Sequence, residues 1–396
     1  MRRRGAGQAG LVTAATVHEA DEARLRAAVR DVCGRFPAEY WRGLEPDRYP
    51  EAFVEAMTAA GLLAVLIPAE YGGSGLGVAE AAVILEEVNA AGGNASACHA
   101  QMYTMGTLLR HGSEAQKHRW LPALAAGEVR LQAFRVTERE AGSETPRIAT
   151  GARRRDGGWI IDGHKAWTSR ALHSDLMLLL ARTAPYDPDR RGDGLSVFLI
   201  DLRGLAGVTI RPTEAMVNHS TSEVLFEGVE VPADSLVGEE GKGFRHILDG
   251  MNAERILIAA ECVGDGRWFV ETGCRYASER VVFDRPIGAN QGVQFPLARA
   301  YAAVRAADLM RREAARLFDA GEPCGAEANM AKLLASEASW QAANACLDAH
   351  GGYGFLRAYD VERKFRETRV YQTAPVNNSL VLAYLGQNVL GMPRSY

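Results

Sequence analysis

The spacing of apolar residues changes twice along this chain, and that change limits the fold more than any other feature of the sequence. Apolar residues recur at helical spacing from about Val17 to Gly127, then every second residue from Leu131 to about Val237, and again at helical spacing to the end. The pattern predicts an α+β multidomain chain with an N-terminal α-helical domain, a middle β domain and a C-terminal four-helix bundle.

The length of 396 residues agrees with this division, because single hydrophobic cores stop growing well below that size. We place the boundaries where the spacing changes. They give a flexible basic tail over residues 1–15, a helical domain over 16–129, a β domain over 130–238 and a helical bundle over 239–396.

Composition excludes several classes of protein. Lys and Arg number 45 against 49 Asp and Glu, so the net charge of -4 gives no reason to expect nucleic acid as a partner. The six cysteines are scattered, without the spacing of a disulfide framework or a metal site, which favours a reducing, cytoplasmic location. No run approaches the roughly eighteen apolar residues of a membrane helix. The glycines of LIPAEYGGSGLG lack the spacing and the strand-turn-helix setting of a dinucleotide fingerprint.

Two segments of the β domain carry a resemblance to a known family. AFRVTEREAGSE, followed by KAWTSR, resembles the flavin-binding part of the acyl-CoA dehydrogenase family, and the similarity extends in order over nearly the whole chain. The resemblance implies FAD, with Thr137 and Thr168 bonding the flavin, Trp167 beside its ring and Ser143 facing the ligand. A flat heterocycle needs such an apolar wall with a few polar groups. The implied cofactor-binding residues here are Phe134, Val136, Thr137, Ser143, Trp167, Thr168 and Ser169.

Two segments of the C-terminal part extend the resemblance. YASERVVFDRPIGANQGVQF matches the stretch in which the family binds the FAD pyrophosphate of a neighbouring subunit, which implies that role for Arg280, with Phe283 and Gln291 beside it. AHGGYGF matches a glycine-rich turn near the adenine half, which implicates Gly351 and Gly352. A cofactor shared between subunits implies a homodimer or homotetramer.

The position of the catalytic base departs from the family's commoner pattern. Where most members carry a glutamate, this chain has Pro375 in YQTAPVNN. A minority, including isovaleryl-CoA and long-chain type enzymes, carries the base on a helix of the C-terminal domain, and the matching residue is Glu254 in NAERILIAAE. The apolar run that follows predicts a low-dielectric setting that raises the pKa of this carboxyl. Arg255 would orient the base or the thioester, and Asn252 and Ser143 complete the expected substrate contacts.

Other departures leave questions open. Pro375 has no backbone N–H to offer the thioester oxygen, and Val376 is the candidate to replace it. Arg139 and Asp348 replace a proline and a glutamine of the family. Arg135 replaces a small residue, and it would recognise an anionic substrate, shift the flavin potential or point to solvent.

These observations predict an FAD-dependent acyl-CoA dehydrogenase of fatty acid or acyl thioester metabolism. Glu254 would remove the α proton of an acyl thioester while the β hydrogen leaves as hydride. Electrons would pass to an electron-transfer flavoprotein, and no metal or membrane is expected. One alternative substrate is an acyl or aminoacyl thioester on a carrier protein. The sequence is also compatible with a flavin monooxygenase, or with a non-catalytic family member that binds FAD or a thioester.

Overall fold

The computed structural model describes residues 14–394, with side chains from residue 21 onward. The predicted tail, residues 1–15, lies outside the described residues except for its last two positions, which begin the first helix. Six α-helices make up the N-terminal part: α1 (Ala14–Cys33), α2 (Ala38–Leu44), α3 (Glu51–Ala59), α4 (Val78–Ala90), α5 (Ser96–His111) and α6 (Glu114–Ala126). A capping box joins Ser113 and Gln116 at the start of α6, and Gly127 ends that helix with φ of 75°.

The middle of the chain forms one mixed sheet. Its strands are β1 (Leu131–Arg135), β2 (Gly151–Arg155), β3 (Gly158–Ser169), β4 (Leu176–Arg182), β5 (Leu195–Asp201), β6 (Val208–Pro212), β7 (Thr221–Pro232) and β8 (Leu236–Val237). The strand order is β6-β7-β3-β2-β4-β5-β8, and β1 pairs with β4 in parallel. The predicted fold class is confirmed.

The expected alternation of apolar and polar residues holds in β7 but not in β4 and β5, which are buried on both faces. One face of β4, with Leu178 and Leu180, belongs to a core shared with α5 and α6. The other face, with Met177 and Leu179, packs against the rest of the sheet's core. A strand covered on both sides has no solvent-facing positions, so its sequence is a continuous apolar run.

The C-terminal part contains three long helices and two short ones. They are α7 (Gly243–Glu279), α8 (Gln291–Asp319), α9 (Gly325–His350), α10 (Val361–Arg369) and α11 (Asn378–Tyr384), with a small hairpin of β9 (Val281–Val282) and β10 (Arg285–Pro286) before α8. The 37 residues of α7 make it about 55 Å long. No helix among residues 14–394 is long and apolar enough to cross a membrane.

A close crossing and a buried ion network hold α7 against the N-terminal helices. A Cβ on Gly264 would lie 2.3 Å from the carbonyl oxygen of Glu86 on α4, so only glycine allows this approach. The Glu86 carboxylate accepts from Arg267 of α7 at 2.6 Å and from Arg26 of α1 at 2.8 Å. Buried charges are tolerated when they are paired in this way. The contacts fix the register of α7, and α7 carries the predicted base.

Candidate active site

A cavity of about 560 Å³ lies between α5, the end of β1, the end of β3, α7 and the segment before α11. Helix α7 contributes a stripe at helical spacing, and Glu254 lies in its middle. One end of the stripe is apolar and the other is polar. The stripe comprises Phe244, Ile247, Leu248, Met251, Glu254, Arg255, Ile258 and Glu261.

Glu254 is a buried carboxyl on the wall of this cavity, with 6% of its surface exposed. Burial raises its pKa to about 7, against smaller opposing effects of His99 and Arg255. A carboxyl with this pKa can accept a proton near neutral pH. Arg255 donates from Nη1 to Asn252 Oδ1 at 3.3 Å and keeps an unpartnered Nε on the same wall. Asn252 differs from the prediction, because it supports Arg255 and does not line the cavity.

The two segments expected to bind flavin meet at one wall. The N–H of Ala166 donates to the carbonyl of Thr137 at 3.0 Å. The buried Lys165 ammonium donates to the carbonyl of Val136 at 2.9 Å and to Glu138 at 2.8 Å. Six of the predicted cofactor-binding residues line the cavity: Phe134, Val136, Thr137, Ser143, Trp167 and Ser169.

A bulge in β3 decides which side chains reach the wall. Between the pairs Lys165–Val224 and Thr168–Ser222, β3 has one residue more than β7, and Trp167 adopts φ of 55° with 66% of its surface exposed. Positive φ is strained for a bulky residue and clusters at functional sites. The bulge also turns Thr168 away, so this predicted residue is fully buried off the cavity, and Ser169 takes the place on its wall.

The polar end contains groups that the sequence analysis did not single out. His99 Nδ1 lies 2.6 Å from Glu261 Oε1, and the Tyr371 hydroxyl donates to Glu261 Oε2 at 2.6 Å. Burial alone would raise the pKa of Glu261, but the charge of His99 and these hydrogen bonds hold it below its usual value. The sequence signal was the seven-residue separation of Glu254 and Glu261, which puts both on one face of α7.

The remaining predicted cofactor residues do not line the cavity, and one of them, Arg280, lies near the glycine-rich turn. The Arg280 guanidinium lies 5.6 Å from the ring centroid of Tyr353, which is inside the turn Gly351–Phe355. A Cβ on Gly351 or Gly352 would meet nothing within 4 Å, so the turn faces open space. Phe283 is 93% exposed at φ of 52°, and Gln291, also exposed, begins α8.

Arg135 is buried, so the expectation that it would point to solvent is wrong. Only 2% of its surface is exposed, its Nη2 donates to the carbonyl of Ser169 at 2.9 Å, and its Nε has no partner. Burial lowers the pKa of this guanidinium to about 9. The side chain lines the same cavity as Glu254.

The residues present fit a flavin. Trp167 offers an exposed aromatic face, and Thr137 and Ser169 of the same wall carry hydroxyl groups. A second, open surface at Arg280 and the Gly351 turn would suit the adenine and phosphate half of a dinucleotide. None of the residues of this second surface lines the cavity.

Comparisons with known proteins agree with the geometry. The N-terminal, middle and C-terminal domain models of acyl-CoA dehydrogenase match residues 19–128, 133–229 and 241–375. Acyl-CoA dehydrogenase FadE12 of Mycobacterium tuberculosis is 35% identical over 377 residues, covering 94% of this chain and 96% of the relative. Cyclohex-1-ene-1-carbonyl-CoA dehydrogenase of Syntrophus aciditrophicus is 32% identical over 335 residues, covering 83% and 80%.

The fold also matches solved structures. The structure of the glutaryl-coenzyme A dehydrogenase glutaryl-CoA complex superposes with a TM-score of 0.87 at 28% identity, covering 95% of this chain and 96% of that one. Butyryl-CoA dehydrogenase from Megasphaera elsdenii gives a TM-score of 0.86 at 25% identity, covering 93% and 98%. This chain therefore belongs to the acyl-CoA dehydrogenase family of FAD-dependent oxidoreductases.

Proposed function

We propose that this enzyme desaturates an acyl-CoA thioester between its α and β carbons, with Glu254 as the base that removes the α proton. The proposal places the chain in the subgroup whose base lies on a helix of the C-terminal domain. The observation that carries it is the position of Glu254, buried in the middle of the α7 stripe with a pKa of about 7. The position of the commoner glutamate is held by Pro375, which has no acid or base to contribute.

Different residues around Glu254 would bind different parts of the substrate. The apolar end of the cavity, with Phe244, Ile247 and Leu248, would carry the part of the substrate that leads to solvent, because Leu248 is 48% exposed. Arg255, next to the base, keeps an unpartnered Nε that can hold the thioester in position. Burial of Glu254 keeps water away, which leaves its carboxylate free to take the α proton.

FAD, when bound, supplies the acceptor for the hydrogen that leaves the β carbon as hydride. The protein's part is to place the thioester between Glu254 and the wall of Thr137, Trp167 and Ser169. The thioester oxygen gathers negative charge as the α proton leaves, and it needs a donor. Pro375 has no N–H, so we propose Val376 N–H for this task. The Val376 carbonyl is fixed by the Lys332 ammonium at 2.7 Å.

We also propose that two subunits share each cofactor, in a homodimer or homotetramer. Phe283, exposed over 93% of its surface, and the open turn at Gly351 would contact the neighbouring subunit and its cofactor. The family resemblance implies an electron-transfer flavoprotein as acceptor. All six cysteines are free, which suits the reducing cytoplasm.

The proposal predicts a pH profile. Glu254 must be deprotonated to act, and its pKa is about 7, so anaerobic flavin reduction should rise with pH and level off above about 7. Below that value the rate constant should fall about tenfold per pH unit. Stopped-flow absorbance at saturating thioester measures it. A rate that stays flat from pH 5 to 8 would remove Glu254 from the proton transfer.

Trp167 gives a second prediction. Replacing it by alanine, Trp167→Ala, removes the exposed aromatic face, and we expect the dissociation constant of FAD to rise about fivefold, since an aromatic contact contributes about 1 kcal/mol. Leu172→Ala is the matched control, because Leu172 is 49% exposed and does not line the cavity. Equilibrium dialysis of the flavin measures both. Equal dissociation constants would show that Trp167 does not contact the ring.

A further inference from the structure

The polar end of the cavity is closed and lined by charged and hydrogen-bonding groups. The exposed fractions are 9% for Ser96, 5% for His99, 1% for Gln132, 5% for Arg170 and 1% for Glu261. The other end leads to solvent past the half-exposed Leu248. A bulky CoA group can leave only through the open end, so the tip of the acyl group lies in the closed one. A purely hydrocarbon tip would offer nothing to the polar atoms there that have no protein partner, and leaving such atoms unpaired has a cost.

Two donor atoms of residues that line the cavity have no partner. Arg135 Nε is unpartnered, and no described carboxylate forms an ion pair with the Arg135 guanidinium. Gln132 accepts a hydrogen bond from the Tyr49 hydroxyl at 2.8 Å through Oε1, while its Nε2 has no partner. Both side chains come from β1 and its bulge, and both line the cavity. A buried guanidinium that has no ion pair and keeps an unpartnered Nε calls for an acceptor from the ligand.

The charges around the cavity favour an anion. Three arginines line it, Arg135, Arg170 and Arg255, against two carboxyls. Glu261 already uses both oxygens on His99 and Tyr371. The Arg170 guanidinium donates a hydrogen bond to the Ser96 hydroxyl. The Arg255 guanidinium interacts electrostatically with the neighbouring Glu254 carboxyl. Neither Arg135 nor Arg170 forms an ion pair with a described carboxylate, and of the two only Arg135 also keeps an unpartnered buried nitrogen, its Nε.

We propose that the natural acyl group carries a second carboxylate, and that Arg135 binds it together with the Gln132 amide. The inference rests on the proposed function and names its substrate class, a monothioester of a dicarboxylic acid. The guanidinium forms charge-assisted hydrogen bonds to the carboxylate, and its planar fork suits two parallel bonds.

The neighbours of Arg135 support a role toward the acyl group. Tyr103 of α5 lies close enough to Glu254 and Arg135 to interact electrostatically with both. Its ring packs edge-on against Phe134, with 5.7 Å between the ring centroids. His99, one turn before Tyr103 on α5, is bonded to Glu261. Tyr103 therefore links Arg135 to the base and to the His99 ring, whose centroid lies 5.1 Å from its own.

The test compares thioesters of matched length with and without the second carboxylate: succinyl- and butyryl-CoA, adipyl- and hexanoyl-CoA, suberyl- and octanoyl-CoA. For the FAD-loaded enzyme, we expect kcat/KM of flavin reduction to favour the carboxylated member by about 100-fold in at least one pair. Arg135→Met should abolish this preference, and Arg135→Lys should keep part of it. Arg153→Ala, an exposed arginine of the same sheet, is the control.

Binding to the Glu254→Gln holoprotein, followed by the change in the flavin spectrum, measures the same preference without turnover. A preference for alkyl thioesters in every pair, or equal ratios in Arg135→Met and the parent, would overturn the inference. So would a shift of the flavin potential in Arg135→Met without a change in the ratio, because it would assign Arg135 to the flavin. If the flavin is reduced by alkyl thioesters but by none of the carboxylated ones, only this inference is refuted and the proposed function stands. Reduction by no thioester refutes the proposed function, and the binding ratio then decides the carboxylate site.

Discussion

Glu254→Gln should lower the rate of flavin reduction by acyl thioester on the order of 10³-fold, because the amide cannot take the α proton and no second carboxylate is free to replace it. The nearest acidic neighbour on the stripe, Glu261, is fixed by His99 and Tyr371 and lies two helical turns away. The variant should still bind FAD and thioester, since glutamine has the same shape. Stopped-flow absorbance under anaerobic conditions gives the rate, and the flavin spectrum reports binding.

Glu271→Gln is the matched control for this experiment. Glu271 is on the same helix and is exposed to solvent, so the substitution removes one carboxylate from α7 without touching the cavity. We expect its reduction rate to equal that of the parent. A Glu254→Gln enzyme that keeps more than about a tenth of the parent rate would show that another group removes the proton, since a general base contributes at least about 10²-fold.

Arg280→Ala should leave the enzyme largely without FAD. The guanidinium is the charged group at the open surface formed with Tyr353 and the Gly351 turn, and its bonds to phosphate would contribute about 1.5–3 kcal/mol. We expect the dissociation constant of FAD to rise about 10- to 100-fold. Flavin absorbance per subunit after gel filtration measures the retained cofactor.

Arg299→Ala controls for the loss of a positive charge, because Arg299 is an exposed residue of α8 outside the segments predicted to bind the cofactor. Light scattering of both variants with and without added FAD tests the shared-cofactor account. If the parent is an oligomer whose cofactor crosses the interface, Arg280→Ala should weaken assembly when FAD is limiting. Equal flavin content in Arg280→Ala and Arg299→Ala would contradict the account of this surface.

The sequence allowed the order of domains to be predicted because the period of apolar residues is a local property that survives packing. The order of the strands could not be predicted from the sequence, because β1 pairs in parallel with β4, and no local pattern indicates which distant segments pair. The full burial of β4 could not be predicted for the same reason, because it also depends on contacts between distant parts of the chain. Its continuous apolar run departs from alternation, and the layer that covers each face belongs to other parts of the chain.

At the site, residues inside recognisable segments could be predicted and residues linked by tertiary contact could not. Glu254 could be proposed from the resemblance to the subgroup that carries its base on a C-terminal helix, together with Pro375 at the position of the commoner glutamate. The network of His99, Glu261 and Tyr371 joins positions 162 and 110 residues apart, and no local pattern indicates such contacts. Thr168 differs from expectation because one extra residue in β3 reverses which side chains face the cavity.

The most direct test of the central claim is an anaerobic titration of the purified, FAD-loaded enzyme with the panel of saturated acyl-CoA thioesters. The account predicts that the oxidised flavin band is bleached by at least one thioester, that the product is the α,β-unsaturated thioester, and that Glu254→Gln prevents the bleaching. A flavin band that no member bleaches in the parent enzyme, or one that bleaches equally fast in Glu254→Gln, would contradict it.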